Sequence, residues 1–158
     1  MTTQQDRYQD YLSAVNTALK AQWGQPCPLT HQRLVVNAFK DGEDAAVCAQ
    51  NLAAALAIAT LNDAFRRTMS GGRVLVTSGI RERWPDAAAI LGKVRAFSDF
   101  SDDNDPYGEH DFGAFEHEGQ KLFWKIDYYA PDMEHGSEDP ADPEHTRRVL
   151  TVMLAGEW

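Results

Sequence analysis

The stretch DFGAFEHEGQKLFWKIDYY, residues 111–129, decides the fold. Residues 111–117 and 121–129 are rich in aromatic and apolar side chains and flank Glu118-Gly119-Gln120, which reads as a β-hairpin with a three-residue loop. Side chains alternate along a strand, so Leu122, Trp124, Ile126 and Tyr128 share one face, and their apolar character makes it the core face. If the first strand is regular from its start, His110 and Glu116 lie on one of its faces, Asp111 and His117 on the other.

Working outward, 147–154 is dense in β-branched and aliphatic residues and reads as a final strand, although Asp142-Pro143 would also serve to open a helix. Val74 to Thr77 reads as a short strand closed by Ser78-Gly79. Helical spacing governs the rest. Tyr8, Tyr11, Leu12, Val15, Leu19 and Trp23 form one stripe of a helix that stops near Gly24. Beyond the Pro26-Cys27-Pro28 break, Thr30 is placed to cap a short helix that ends at Asp41-Gly42. Asp44 opens an alanine-rich helix running to Ser70, with a break expected near Thr60, and Pro85 begins another through Ile90, Leu91, Val94 and Phe97. The fold class is therefore α+β: a helical N-terminal module, 1–55, followed by a domain, 56–158. In that domain a small antiparallel sheet, the hairpin 111–129 with strands near 73–77 and 147–154, packs on helices.

The charge is divided unevenly. Between Asp99 and Thr146 lie fifteen of the 24 acidic residues against only Lys121 and Lys125, a local charge of −13 in a chain of net charge −9. A field of that sign repels nucleic acid and anionic membranes and attracts cations or basic protein surfaces. With 43% hydrophobic residues among 158, the chain has the material for a packed core. No basic start is followed by an apolar run, and no stretch of about 18 apolar residues is present, so a cytoplasmic protein is expected. Cys27 and Cys48 lack the spacing of zinc or redox motifs and read as buried thiols.

Several stretches resemble the bacterial family catalogued as domain of unknown function 3768. They are Leu61 to Arg67, Gly71-Gly72-Arg73-Val74, Asn104 to Gly113, Phe123 to Tyr129 and Arg147 to Ala155. The resemblance covers about 56–158 and implies an accessory gene of chromosomes, plasmids and other mobile elements. It implies no activity.

The remaining motifs each meet an objection. Asp103, Asp105, Gly108 and Asp111 match four positions of a calcium loop, but Tyr107 and Ala114 stand where ligands are needed, the second in place of the bidentate glutamate. Phe112, Phe115, Phe123, Trp124, Tyr128 and Tyr129 could stack on bases, yet the surrounding charge is of the wrong sign for phosphates. A helix-turn-helix in the N-terminal module would present a recognition stretch, 45–57, without arginine or lysine. Arg66, Arg67, Arg73, Arg81 and Arg83 read as helix ends or internal ion pairs, and an anion site at Gly71-Gly72-Arg73 lacks the pattern of a phosphate loop.

The sequence therefore points first to an interaction protein rather than an enzyme. Asp99, Asp102, Asp103, Asp105, Glu109, Asp111, Glu116 and Glu118 would form its docking face. The face would be turned to a basic, nucleic-acid-binding protein, in the manner of anti-restriction or anti-CRISPR inhibitors, with no direct contact to nucleic acid or membrane. The alternative is a metal-dependent hydrolase built on His110, Asp111, His117 and Asp127, imidazole and carboxylate being the groups that hold metals and move protons. No resident metal or other cofactor is implied by the leading reading.

Overall fold

Thr3 and Asp6 start the first helix by satisfying each other's backbone: Asp6 N–H donates to Thr3 Oγ1 at 3.0 Å and Thr3 N–H to Asp6 Oδ2 at 2.8 Å. A computed structural model describes residues 1–158. Helix α1 (Gln4–Trp23) ends where Gly24, at φ 87°, takes the left-handed conformation and donates to Lys20 O. A 3-10 helix (Leu29–His31) precedes α2 (Gln32–Lys40), so Thr30 is not the cap expected of it; its hydroxyl lies 3.0 Å from His31 Nδ1 instead. Asp44 Oδ1 accepts from Ala46 N–H at 2.9 Å and opens α3 (Ala45–Thr68), which runs through Thr60 without a break.

The chain divides into two compact units, Met1–Ala57 with Pro106–Gly108, and Ile58–Asp105 with Glu109–Trp158. In the first, Val15, Leu19, Cys27, Val35, Cys48, Ala49, Leu52 and Leu56 close into one apolar cluster, each fully buried aliphatic side chain contributing about 1.5–3 kcal/mol. Both thiols are free and buried in it, and burial, then the neighbouring Cys48, pushes Cys27 up to about 11.

The second unit is built on a four-stranded sheet of order β1 (Arg73–Val76), β4 (Arg147–Leu154), β3 (Gln120–Tyr129), β2 (Phe112–His117). The strand read at the C-terminal end is β4, and the fold is α+β. Two pairings are antiparallel, but β1 runs parallel to β4, Arg73 facing Val149, so the sheet is mixed rather than antiparallel throughout. The hairpin turn is tighter than expected. Gln120 pairs with His117, leaving only Glu118 and Gly119 in the turn at φ 48° and 78°, the two positive values that a right-twisted two-residue hairpin requires. Leu122, Trp124 and Ile126 point to the core with Leu150 and Val152, against Phe65 of α3, Ile80 of α4 (Ser78–Arg83) and Ile90 and Val94 of α5 (Ala88–Ala96). Helix α4 stands where Ser78-Gly79 read as a loop: a side chain at Gly79 would meet Glu157 and Leu154, and its absence admits the C-terminal 3-10 helix (Ala155–Glu157). Pro85 does not begin the next helix; Asp86 Oδ1 accepts from Ala88 N–H at 3.0 Å and does.

By length and composition α3 is apolar enough to cross a membrane. Its apolar side chains Cys48, Leu52, Leu56 and Phe65 instead lie in the two clusters, as in a core helix of a globular protein.

Candidate functional site

The Asn104-to-Gly113 segment folds around one carboxylate. Asp105 is 1% exposed, and its Oδ1 accepts from the backbone N–H groups of Glu109 at 2.9 Å and His110 at 3.0 Å, which closes the turn on itself. His110 takes φ 56°, so the strand is not regular from its start, and the alternation expected of His110 and Glu116 does not hold. Its ring stacks flat on Phe100, centroids 3.8 Å apart, and Nδ1 lies 3.0 Å from Asp63 Oδ2. The other oxygen of Asp63 accepts from Arg66 Nη2 at 2.8 Å.

Arg66 is fully buried; its Nη1 donates to Val94 O at 2.7 Å and Arg95 O at 3.0 Å, and its guanidinium lies over Trp124 at 5.2 Å. Burial would raise the Asp63 carboxyl, but His110 and Arg66 together hold it below the usual range. One helical turn carries a second set of bonds. Asn62, also fully buried, donates Nδ2–H to Glu109 O at 2.9 Å and to Tyr128 Oη at 2.7 Å, while Oδ1 accepts from Arg148 Nε at 2.7 Å. Tyr128 Oη donates to Glu109 Oε2 at 3.0 Å, and burial raises the pKa of both groups.

This arrangement sorts the sequence-derived site residues. Asp99, Asp102, Asp103, Glu116 and Glu118 are exposed, whereas Asp105 is buried and Glu109 and Asp111 are half-buried. Asp105 and Glu109 thus brace the fold rather than face outward, and Glu118 accepts from Trp84 Nε1. Of the residues of the hydrolase alternative, Asp111 and Asp127 line one cavity, and neither histidine joins them there. His110 meets Asp63, His117 is buried edge-on to Trp84 at 5.1 Å, and Asp127 pairs with Lys125 at 2.9 Å. No three His, Cys, Asp or Glu side chains stand where they could hold one metal ion. Asn62, Asp63 and Arg148, which organise the network, were not among the candidates; the available signal was a polar Asn62-Asp63 and Arg66-Arg67 cluster at the end of an apolar helix.

Asp111 lines a cavity of about 400 Å³ with Phe112, Lys125, Ile126, Asp127 and Trp158. Burial, then the Glu109 and Asp105 carboxylates, pushes it up to about 6. A carboxyl whose folded pKa lies above its unfolded value loses stability as pH rises from about 4 through about 6. Asp111→Asn should therefore raise stability by about 1–2 kcal/mol at about pH 8, after discounting for partial exposure, and change little at about pH 4. Urea unfolding of both proteins at the two pH values checks this. A variant equally stabilised at both, or stabilised only at the lower pH, contradicts the assignment.

The second acidic segment stays outward. Between Pro131 and Glu144, Asp132, Glu134, Glu138, Asp139 and Glu144 are exposed, yet the loop is held by its own bonds. Ala130 N–H donates to His135 O at 2.8 Å, Ser137 N–H to Tyr128 O at 3.1 Å, and Thr146 Oγ1 to Asp139 O at 2.8 Å. Asp132 and Asp142 each cap a local turn, accepting from Glu134 N–H and Glu144 N–H at 2.9 Å. The Glu134 backbone and the His135 side chain pull Asp132 down to about 2, so it stays ionised.

No curated protein and no solved structure matches the chain. A family model described as a protein of unknown function, DUF3768, matches residues 76–157, more than half of the chain, and takes in α4, α5, β2, β3 and β4 with both acidic segments. The chain belongs to that family.

Proposed function

We propose that the chain is a cytoplasmic interaction protein that docks an ordered acidic surface on a basic, nucleic-acid-binding face of another protein and blocks it. Bacterial anti-restriction or anti-CRISPR inhibitors carried by mobile elements are the class of action intended. What supports this reading is the combination in 131–144 of five exposed carboxylates with a backbone fixed by its own hydrogen bonds. Such a surface steers association through its field and loses little conformational freedom on binding. Asp99, Asp102, Asp103 and Glu116 extend the exposed set. Asp105 and Glu109 drop out of it, because their carboxylates serve Glu109 N–H, His110 N–H and Tyr128 Oη.

The test uses Glu134, Glu138 and Glu144, exposed side chains that make no hydrogen bond or ion pair within the loop. Replacing all three with glutamine should leave folding intact and weaken capture of a host partner by about tenfold at low salt, with a shallower salt dependence. Capture that is equal at low and high salt, or unchanged by the triple substitution, rejects the reading.

A further inference from the structure

Two helical stripes meet in the first unit. Leu34 and Ala38 stand one turn apart on α2, Cys48, Leu52 and Ala55 recur at helical spacing on α3, and both sets line a cavity of about 360 Å³. Asp41 and Glu43 line its end nearest the short connection between the two helices. Pro106 and Tyr107 line it as well, and they belong to the same unit as these stripes.

Tyr107 is held in place through its neighbour. Gly108, at φ 71°, packs so closely that a Cβ there would come within 2.6 Å of Leu34 Cδ1, and its carbonyl oxygen lies 2.8 Å from His31 Nε2, just before α2. The Tyr107 ring itself is left 77% exposed, so a fixed turn presents an open aromatic face to the cavity.

No basic side chain lines this space. The Asp41 carboxylate has neither hydrogen bond nor ion pair, and Glu43 accepts only from the neutral Asn51 Nδ2, at 3.3 Å. Lys40, next to Asp41 in the chain, lines a different depression with Gln4 and Tyr8. Burial raises the Cys48 thiol and the Glu43 carboxylate adds to this, so the wall between the two ends stays neutral. The cavity is therefore apolar along its length and doubly negative at one end, in a chain whose net charge of −9 strengthens that potential. Such a site repels anions, and a wholly apolar ligand would desolvate both carboxylates without giving them a partner. A bare metal ion finds no third side-chain ligand there.

We infer that the cavity binds a small organic cation with an apolar body, an arylalkylamine in chemical class, its ammonium held by Asp41 and Glu43 and its ring lying against Tyr107. Charge-assisted N–H···O bonds fix the head, and Leu34, Ala38, Leu52 and Ala55 cover the alkyl chain. From Asp41 back to Leu34 the helix rises about 10 Å, which a ring carried on a short alkyl chain spans. The volume falls in the range of small-molecule sites.

The test is calorimetry on the full chain, at matched ionic strength, with phenylbutylamine, its isosteric anion phenylbutyrate, the neutral phenylbutanol, and spermidine, a cation without a ring. Phenylbutylamine should bind saturably and about tenfold more tightly than each of the others, as expected for a charge-assisted contact combined with apolar burial. Asp41→Asn combined with Glu43→Gln should weaken it by about tenfold or more, with the half-buried Glu43 contributing more than the exposed Asp41. Tyr107→Ala, at an exposed position, should weaken it by about threefold or more. Unchanged melting of these variants without ligand separates lost binding from lost folding. Phenylbutyrate, phenylbutanol or spermidine binding as tightly as phenylbutylamine would overturn the inference. So would affinity unchanged in the carboxylate or Tyr107 variants, or heat that never saturates.

Discussion

Arg66→Ala should destabilise the protein by about 3 kcal/mol or more, the cost of removing one partner of a buried ion pair and leaving buried carbonyls without a donor. The guanidinium is fully buried and holds Asp63 Oδ1 at 2.8 Å, Val94 O at 2.7 Å and Arg95 O at 3.0 Å, so truncation strands two carbonyls and leaves Asp63 only His110 and the exposed Arg67. It also removes the cation lying over Trp124 and Phe100, the latter being the ring on which His110 stacks. Urea unfolding reads the loss. The double variant Asp63→Leu with Arg66→Met separates pairing from packing. It should be less destabilised than the sum of the two single changes by at least about 1 kcal/mol, since neither charge is then left alone. Additive effects would show that Arg66 acts through its aliphatic stem.

Why such a residue escapes a sequence reading follows from the statistics of exposure. Arginine and the carboxylates are mostly exposed, so Asp105 and Glu109 read as surface and Arg66 as a solvated helix end or an internal ion pair with the acidic loops, whereas its carboxylate is Asp63 of its own helix. Only the convergence of α3, α5, the 104–113 turn, β3 and β4 buries Arg66 and Asp105 and half-buries Glu109, and the bonds of that network span up to 86 residues, as between Asn62 and Arg148. Periodicity carried further where it could. The core face of β3 is the set Leu122, Trp124, Ile126 and Tyr128, and the stripe from Tyr8 to Trp23 lies on α1, because a two-residue or 3.6-residue repeat records which side is buried. That repeat is blind to direction, which is why the parallel β1–β4 pair was not visible in it. Turn chemistry misled at two places: Ser78-Gly79 has the composition of a loop but opens α4, and Glu118-Gly119-Gln120 contributes only its first two residues to the turn.

The other large effect is expected at Asn62. Asn62→Leu keeps the volume of the side chain, so no cavity opens, but it deletes the acceptor for Arg148 Nε and the donors to Glu109 O and Tyr128 Oη. Groups stripped of partners in a buried site cost about 1–3 kcal/mol each, so a loss of about 3 kcal/mol or more is expected in urea unfolding. Asn62→Asp distinguishes the two roles. Aspartate retains an oxygen for Arg148 Nε, so Arg148 stays in place, while the amide donors to Glu109 O and Tyr128 Oη are lost and a negative charge is placed beside Glu109. Stability should fall in this variant too. The fall should be smaller than in Asn62→Leu, because the guanidinium keeps an acceptor and gains a nearer counter-charge. Equal losses in the two variants would mean that the donors to Glu109 O and Tyr128 Oη carry the effect and the Arg148 acceptor none of it.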